Sequence, residues 1–503
     1  MALFIDDTNR LIIPSWRQLD KSQGELRPAG ATGIEVKKRD IQEYLLEWKA
    51  NKNLVTAGEL ISAAIVNRMP EETAVLEAAR FVVNYPLKAP AALRNASKGL
   101  LDIPLDQDFF FPANLRLYDK ISKLKKLLNN YPSSAILHIE IARLYLLIGQ
   151  LEIAEYHVHF ALYIDPNNRF VVRSAARFYI HIDQKNKAID VLRKSCLIKK
   201  DPWLMASEIS VSRHFDKRSP NLKRAGEMID SRNYSNSDLS ELCGTMGMEE
   251  LENAGYNKSR KLFNQSLTAP NDNSFAQAQW VAKNRHLDLI FPNQPIDVNF
   301  KEALCCESFF VGDYKAAIRY AQDWQDEMPY SQKCAVFGSN ISTTFEKDYK
   351  TSIRLLKTYL QTNRRNKAVL NDLAYVYALD DDTESAQKQV DKAMKAVDMK
   401  TLEPADICLV ATQGLIYFRE KAVEEGSEFY EAAIQACERM RRLDMLYSAK
   451  LNYARELLRY KNDEESREKV VKLISDVPEA EKGTERYEQL KDVKKMLKEG
   501  AQQ

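Results

Sequence analysis

The chain is short of the residues that interrupt helices. Its 503 residues include only 16 glycines and 17 prolines, and these fall mostly between apolar-periodic segments, where helix punctuation belongs. No apolar run approaches the roughly 20 residues of a membrane span. Met1 to Arg10 turns acidic and polar after its first five residues, which predicts no signal peptide. Charge of one sign is lacking as well: 73 Lys and Arg stand against 71 Asp and Glu, a net of +2, so the molecule as a whole is no polyelectrolyte binder. Seven cysteines (Cys196, Cys243, Cys305, Cys306, Cys334, Cys408 and Cys437) are scattered and odd in number, the pattern of reduced thiols in a cytoplasmic protein. Catalytic signatures are missing too. There is no His-Glu-x-x-His, no Gly-x-x-x-x-Gly-Lys loop and no Gly-x-Ser-x-Gly elbow. His157 and His159 are two residues apart in a helical pattern and so face different ways, as do the adjacent Cys305 and Cys306. No catalytic residue, metal site or cofactor is predicted, and the chain reads as non-enzymatic.

What is present is a spacing. Pro132 and Pro166 lie 34 residues apart, and Ala135 to Asn168 between them carries Ile141, Ala142, Tyr145, Ala154, Val158 and Ala161. Two helices of one hairpin approach closely only where alanine-sized residues meet, with large residues filling the gaps alongside. On these residues the chain resembles the tetratricopeptide-repeat (TPR) family, whose members bind proteins or peptides. The pattern recurs in Arg169 to Pro202 (Ala175, Ala176, Tyr179, Ala188, Leu192, Ser195), in Val298 to Ser331 (Leu304, Cys305, Gly312, Tyr314, Ala317, Ala321, Trp324) and most cleanly in Lys367 to Lys400 (Leu370, Leu373, Ala374, Tyr377, Ala386, Val390, Ala393). Units starting near Ile407 and Tyr447 each follow their predecessor by 40 residues, which predicts longer helices or loops there. The expected fold is all-α, a TPR-like α-solenoid of antiparallel helix pairs forming a right-handed superhelix that adds core one repeat at a time.

The resulting division is an extended N-terminal arm over 1–38, divergent helical hairpins over 39–100, a first array over 101–233, a divergent helical middle over 234–296, a second array over 297–479, and a capping helix with tail over 480–503. Asp102 to Pro112, with three consecutive phenylalanines, reads as irregular. In the arm, Ile12, Ile13 and Trp16 form an apolar piece that cannot be helical through Pro14. It is expected to dock on the chain's own helices, with docking on a partner as the alternative.

The resemblance implies that the first helix of each hairpin lines a concave groove, with its second, fifth, sixth, ninth and twelfth positions inward. Arg143 and Arg177 then occupy ninth positions, and Arg173 a fifth. Arg169, Arg173 and Arg177 also recur every four residues on one helix face, and a row of guanidinium groups suits carboxylates or phosphates. An acidic protein or peptide partner is the implied ligand. The alternative is a face paired with nearby acids such as Glu140 and Glu208. Asn371, at a fifth position of the second array, is placed to hydrogen-bond a peptide backbone. The asparagines with which family members clamp a C-terminal carboxylate are absent from the matching places in the first array. Segment 169–224, with 14 Lys and Arg against 5 Asp and Glu, keeps nucleic-acid binding open as a weaker reading, which slight aromatic interleaving and near-neutral net charge oppose. The main reading is an adaptor or scaffold, alone or as a subunit of a larger complex. A peptide-responsive regulator is the runner-up, and homo-oligomerisation stays open.

Overall fold

A computed structural model of the chain describes residues 10–16, 41–67, 73–84, 89, 91–101, 113–231, 233–292, 301–394 and 404–500. Every regular element among these residues is an α-helix. Residues 17–38, Asp102 to Pro112 and the first residues of the unit beginning at Val298 lie outside the described residues. Helix packing divides the chain into two compact units, Arg17–Pro166 and Met1–Trp16 together with Asn167–Gln503.

The smaller unit contains α1 (Ile41–Ala50), α2 (Leu54–Asn67), α3 (Thr73–Asn84), α4 (Ala91–Leu100), α5 (Ala113–Asn130), α6 (Ala135–Leu147) and α7 (Leu151–Ile164). Successive helices pack on one another. Trp48 of α1 meets Phe81 of α3 edge-on at 5.5 Å, and Ala57, Ile61 and Ala64 of α2 are buried. The α6–α7 hairpin is the repeat read from the proline spacing: Ala142, Ala154, Val158 and Ala161 are fully buried between its helices. Ser134 caps α6 by accepting from the Leu137 N–H, and Gly149 makes the hairpin turn at φ 74°.

The larger unit contains α8 (Arg169–His181), α9 (Lys185–Lys194), α10 (Pro202–His214), α11 (Leu222–Asp230), α12 (Asn236–Glu252), α13 (Tyr256–Ser266), α14 (Asp272–Asn284), α15 (Lys301–Phe310), α16 (Tyr314–Glu327), α17 (Gln332–Thr344), α18 (Tyr349–Thr362), α19 (Lys367–Leu379), α20 (Thr383–Met394), α21 (Pro404–Arg419), α22 (Val423–Arg439), α23 (Leu443–Tyr460), α24 (Glu464–Ser475) and α25 (Glu485–Gly500). Hairpins α8–α9, α15–α16, α19–α20, α21–α22 and α23–α24 are the units read from sequence, and the architecture is that of a TPR-like α-solenoid. Ala176 and Ala374 are fully buried at their crossings. The 40-residue spacings come from helix length: α21, α22 and α23 run 16, 17 and 18 residues, against 13 for α19.

Two further hairpins were hidden from the alanine pattern. In α17–α18 the small residues are Gly338 and Ser352, and a methyl group added at Gly338 would come within 2.8 Å of the Ala321 side chain. In α12–α13 the first helix is 17 residues long, so the second helix arrives late. There Gly247 faces Phe263 and accepts at its carbonyl from the Ser259 hydroxyl at 2.8 Å.

The C-terminal helix does more than close the last repeat. It lies on α23 and reaches α17, burying Leu490 and Val493 in the core. Asn340 donates to Glu485 at 2.9 Å. A cavity of about 110 Å³ remains beside it, lined among others by Tyr375, Arg419, Asn452 and Arg455. Among the described residues no helix is long and apolar enough to cross a membrane.

Candidate functional site

The first helices of successive hairpins in the larger unit bring equivalent positions into register. Ser207 and Glu241 stand 34 and 68 residues beyond Arg173, and Arg173 binds both. Its guanidinium donates to Ser207 Oγ at 3.0 Å, to the Trp203 carbonyl at 3.0 Å, and to the two Glu241 oxygens at 2.6 and 3.0 Å. It also lies over the Trp203 ring at 5.0 Å. The inner face therefore follows the repeat register, but Arg173 offers no open guanidinium. Its donors are consumed inside the fold, because a charge this buried requires a charge partner. That partner is Glu241, not Glu208, which takes up Arg193 instead at 2.8 Å.

The other basic residues divide similarly. Arg169 pairs with Asp201 at 2.6 Å, and Arg213 with Glu249 at 2.6 Å. Arg177 is half-buried and sits 5.0 Å over the ring of Tyr330. Arg143, in the smaller unit, is buried against Glu140 one turn earlier, at 3.2 Å from its Nε. Asn371 is buried and accepts from the Thr412 hydroxyl at 2.8 Å, while Asn452, 40 residues past Thr412, accepts from Tyr375 at 2.9 Å.

The groove of the larger unit holds an extended peptide, and the peptide is the chain's own residues 10–16. Arg10, Ile12, Pro14 and Trp16 are buried and the residues between them are half-buried, the two-residue alternation of an extended strand lying against a surface. Three side chains grip its main chain. Gln277 donates to the Arg10 carbonyl at 2.7 Å, and Asn273 to the Ile13 carbonyl at 3.0 Å. Tyr330 accepts from the Trp16 N–H at 2.8 Å and donates to the Trp16 carbonyl. Asn273 and Gln277 are one turn apart on α14 and so share a face. Gly244 on α12 leaves room for Gln277 to reach across, since a methyl there would fall 2.3 Å from Gln277 Oε1.

Side-chain recognition is concentrated at the two ends. Arg10 forms a two-pronged contact with Glu302, from Nε at 2.8 Å and Nη2 at 2.9 Å, and Nη2 also donates to Asn273 at 2.9 Å. Lys333 approaches the same carboxylate at 3.3 Å. Burial alone would raise the Glu302 carboxyl, but Arg10 and Lys333 outweigh it and hold the group down at about 2. At the other end Ile12 and Trp16 are fully buried, and Trp16 packs on Tyr330 with centroids 6.3 Å apart. The face of Tyr330 away from ordinary solvent is shared by Arg177 and by His181, whose ring meets it edge-on at 6.2 Å. His181 contacts the Thr362 carbonyl at 3.1 Å, so the end of α8 touches the end of α18. Burial first, then Arg177, pushes its imidazole down to about 4.

The arm thus docks within its own chain, as its apolar sequence leads one to expect. Glu302, Asn273, Gln277 and Tyr330 were not legible as site residues. The signal was partly there, since the 34-residue steps from Arg173 lead to Glu241. Nothing local links Glu302 to an arginine 292 residues away.

Among the described residues no group of three or more His, Cys, Asp or Glu is placed to hold a metal ion. His138 and His157 do meet, Nδ1 to Nδ1 at 2.9 Å, and are buried between α6 and α7. One ring must donate and the other accept, so the contact requires at least one neutral imidazole.

No protein-family model and no curated protein matches the chain. Solved structures to which it is similar include yeast Tom70, at 12% identity over 92% of this chain and 97% of that one, with a TM-score of 0.32. The human IFIT1 dimer with PPP-AAAA gives 14% identity, 92% and 94% coverage and a TM-score of 0.28. The APC/C hetero-tetramer Cut9-Hcn1 gives 12%, 86% and 92%, and 0.30. Scores this low say nothing about the partners of this chain, whose repeat architecture rests on its own helix pairs.

Proposed function

We propose that the protein is a non-enzymatic interaction scaffold, working in the cytoplasm alone or as a subunit of a larger complex, whose larger unit holds an extended segment of a protein partner. The groove carrying this role is lined by α8, α10, α12, α14, α15 and α17. One observation supports it above the rest: Asn273, Gln277 and Tyr330 bind the main chain of residues 10–16, contacts that a segment of almost any sequence can satisfy. The partner's charge is the reverse of the one the arginine row suggests. Arg173 is neutralised by Glu241 within the fold, whereas Glu302 faces the occupant and pairs with its cation.

The test is a comparison of the wild-type chain with the double variant Asn273→Ala/Gln277→Ala by in-cell crosslinking and mass spectrometry. Loss of particular partners, with the helical circular dichroism unchanged, is the expected result. An identical partner set would remove the groove from the proposed role. The regulator reading keeps one specific support: α8 and α18 meet at His181 and Thr362, beside the arm's Trp16 anchor, so a change of occupant acts directly on the contact between distant repeats.

A further inference from the structure

We propose that the segment this groove takes from a partner has the pattern of the arm itself, an arginine, an aliphatic residue two positions later and a large aromatic six positions later, and that the arm is its built-in competitor. This rests on the scaffold reading above and specifies the ligand.

The pattern follows from which contacts are selective. The main-chain bonds from Gln277, Asn273 and Tyr330 set direction and extension but read no side chain. Selection comes from Glu302, from the burial of Ile12, and from the Trp16 pocket against Tyr330. Glu302 is met on both oxygens by Nε and Nη2 of one guanidinium, a geometry that a lysine ammonium cannot reproduce because it donates from a single point. With the arm removed, Glu302 would keep only the Lys333 contact at 3.3 Å among the ion pairs given for it here. A cation is therefore required of whatever replaces Arg10.

The arm is a replaceable occupant for two physical reasons. It is seven residues of extended chain, so its departure opens no helix of the unit, and such peripheral segments detach at low cost. It also fits imperfectly. The Trp16 indole N–H is buried with no acceptor among the described residues, and a buried donor without a partner weakens the bound state. A phenylalanine at that place fills the same pocket without the orphaned donor, so a partner segment can bind more tightly than the arm. Against this, a tethered occupant competes at an effective concentration on the order of millimolar. An external segment therefore binds weakly to the intact chain and strongly once the tether is cut or the arm weakened.

The experiment uses the full chain with a protease site placed among residues 20–24, folded first and cut afterwards. The probe is a fluorescein-labelled synthetic peptide spanning residues 8–18, with variants Arg10→Lys, Arg10→Glu and Trp16→Phe. After cutting, the labelled peptide should exchange for the arm, with affinity at least ten-fold above that for the uncut chain. Trp16→Phe should bind as well or better, Arg10→Lys more weakly by about ten-fold, and Arg10→Glu not measurably. A Glu302→Gln chain should lose the preference for Arg10 over Lys. If the arm never exchanges after cutting, it is a structural element and the proposal is wrong. If the Arg10→Glu peptide binds as well as the parent, the specificity is wrong. Either result with the crosslinked partners still dependent on Asn273 and Gln277 leaves the scaffold reading intact, and loss of that dependence as well defeats both.

Discussion

Arg173 offers the sharpest test of how the inner face is built. Truncating Arg173 to Ala removes two contacts to a carboxylate whose side chain is 2% exposed, from a guanidinium side chain that is 8% exposed. Leaving one buried charge without its partner costs about 3–5 kcal/mol. The lower part of that range applies to Arg173→Ala, because Glu241 retains amide donors from Asn271 at 2.9 Å and Asn273 at 3.4 Å. Glu241→Ala belongs at the upper part, since the stranded guanidinium keeps only Ser207, the Trp203 carbonyl and the Trp203 ring. The double variant should cost less than the sum of the two, with a coupling of about 2–3 kcal/mol. Arg177→Ala gives up a half-buried cation–π contact and should cost about 1 kcal/mol. A repeat array need not unfold in one step, so the measurement is hydrogen exchange in α8 and α12 along a denaturant series, not a single melting point. Additive effects, or losses under about 1 kcal/mol for both single truncations, would refute the buried-pair reading. Stability unchanged in Arg173→Glu together with a loss of partner affinity would restore the open arginine row.

Three further outcomes can be measured. Gly244→Ala should loosen the arm, because the added methyl collides with the Gln277 side chain that holds Arg10; faster exchange at residues 11–16 with α12 unchanged is the readout, and unaltered exchange there would show that Gln277 has another route to the arm. Burial, assisted by His138 and Lys125, pushes the His157 imidazole down to about 4. The unfolded chain then takes up the proton first, so stability is complete above pH 6.5 and declines as pH falls toward 4, by about 3 kcal/mol over the whole interval; the smaller unit should lose protection between pH 7 and 4.5, and His157→Phe should flatten that decline. Ala254 turns from α12 to α13 at φ 58°, a left-handed conformation that strains a side chain carrying a Cβ; Ala254→Gly should stabilise that hairpin by about 0.5–1 kcal/mol in a denaturant melt, and a net destabilisation would mean the unfolded-state entropy of glycine outweighs the strain relieved.

The hairpins were determined by local pattern. Alanine-sized residues at fixed offsets, as at Ala142, Ala176 and Ala374, are needed wherever two helices cross closely, and that need repeats with the chain itself. The pattern was blind where the same need was met by other residues, glycine and serine at Gly338 and Ser352, or where a longer helix such as α12 delayed its partner. The inner wall was half legible, since Arg173, Ser207 and Glu241 follow the 34-residue step, but which charges cancel there depends on side chains meeting across three repeats. The arm shows the same division. Leu11 to Trp16 announced in sequence that it would be extended and buried, because proline forbids a helix and the apolar side chains forbid exposure. Only the tertiary structure decided where it lies, since Arg10 and Glu302, or Trp16 and Tyr330, become neighbours through the accumulated turn of the solenoid, and no spacing along the chain encodes that turn.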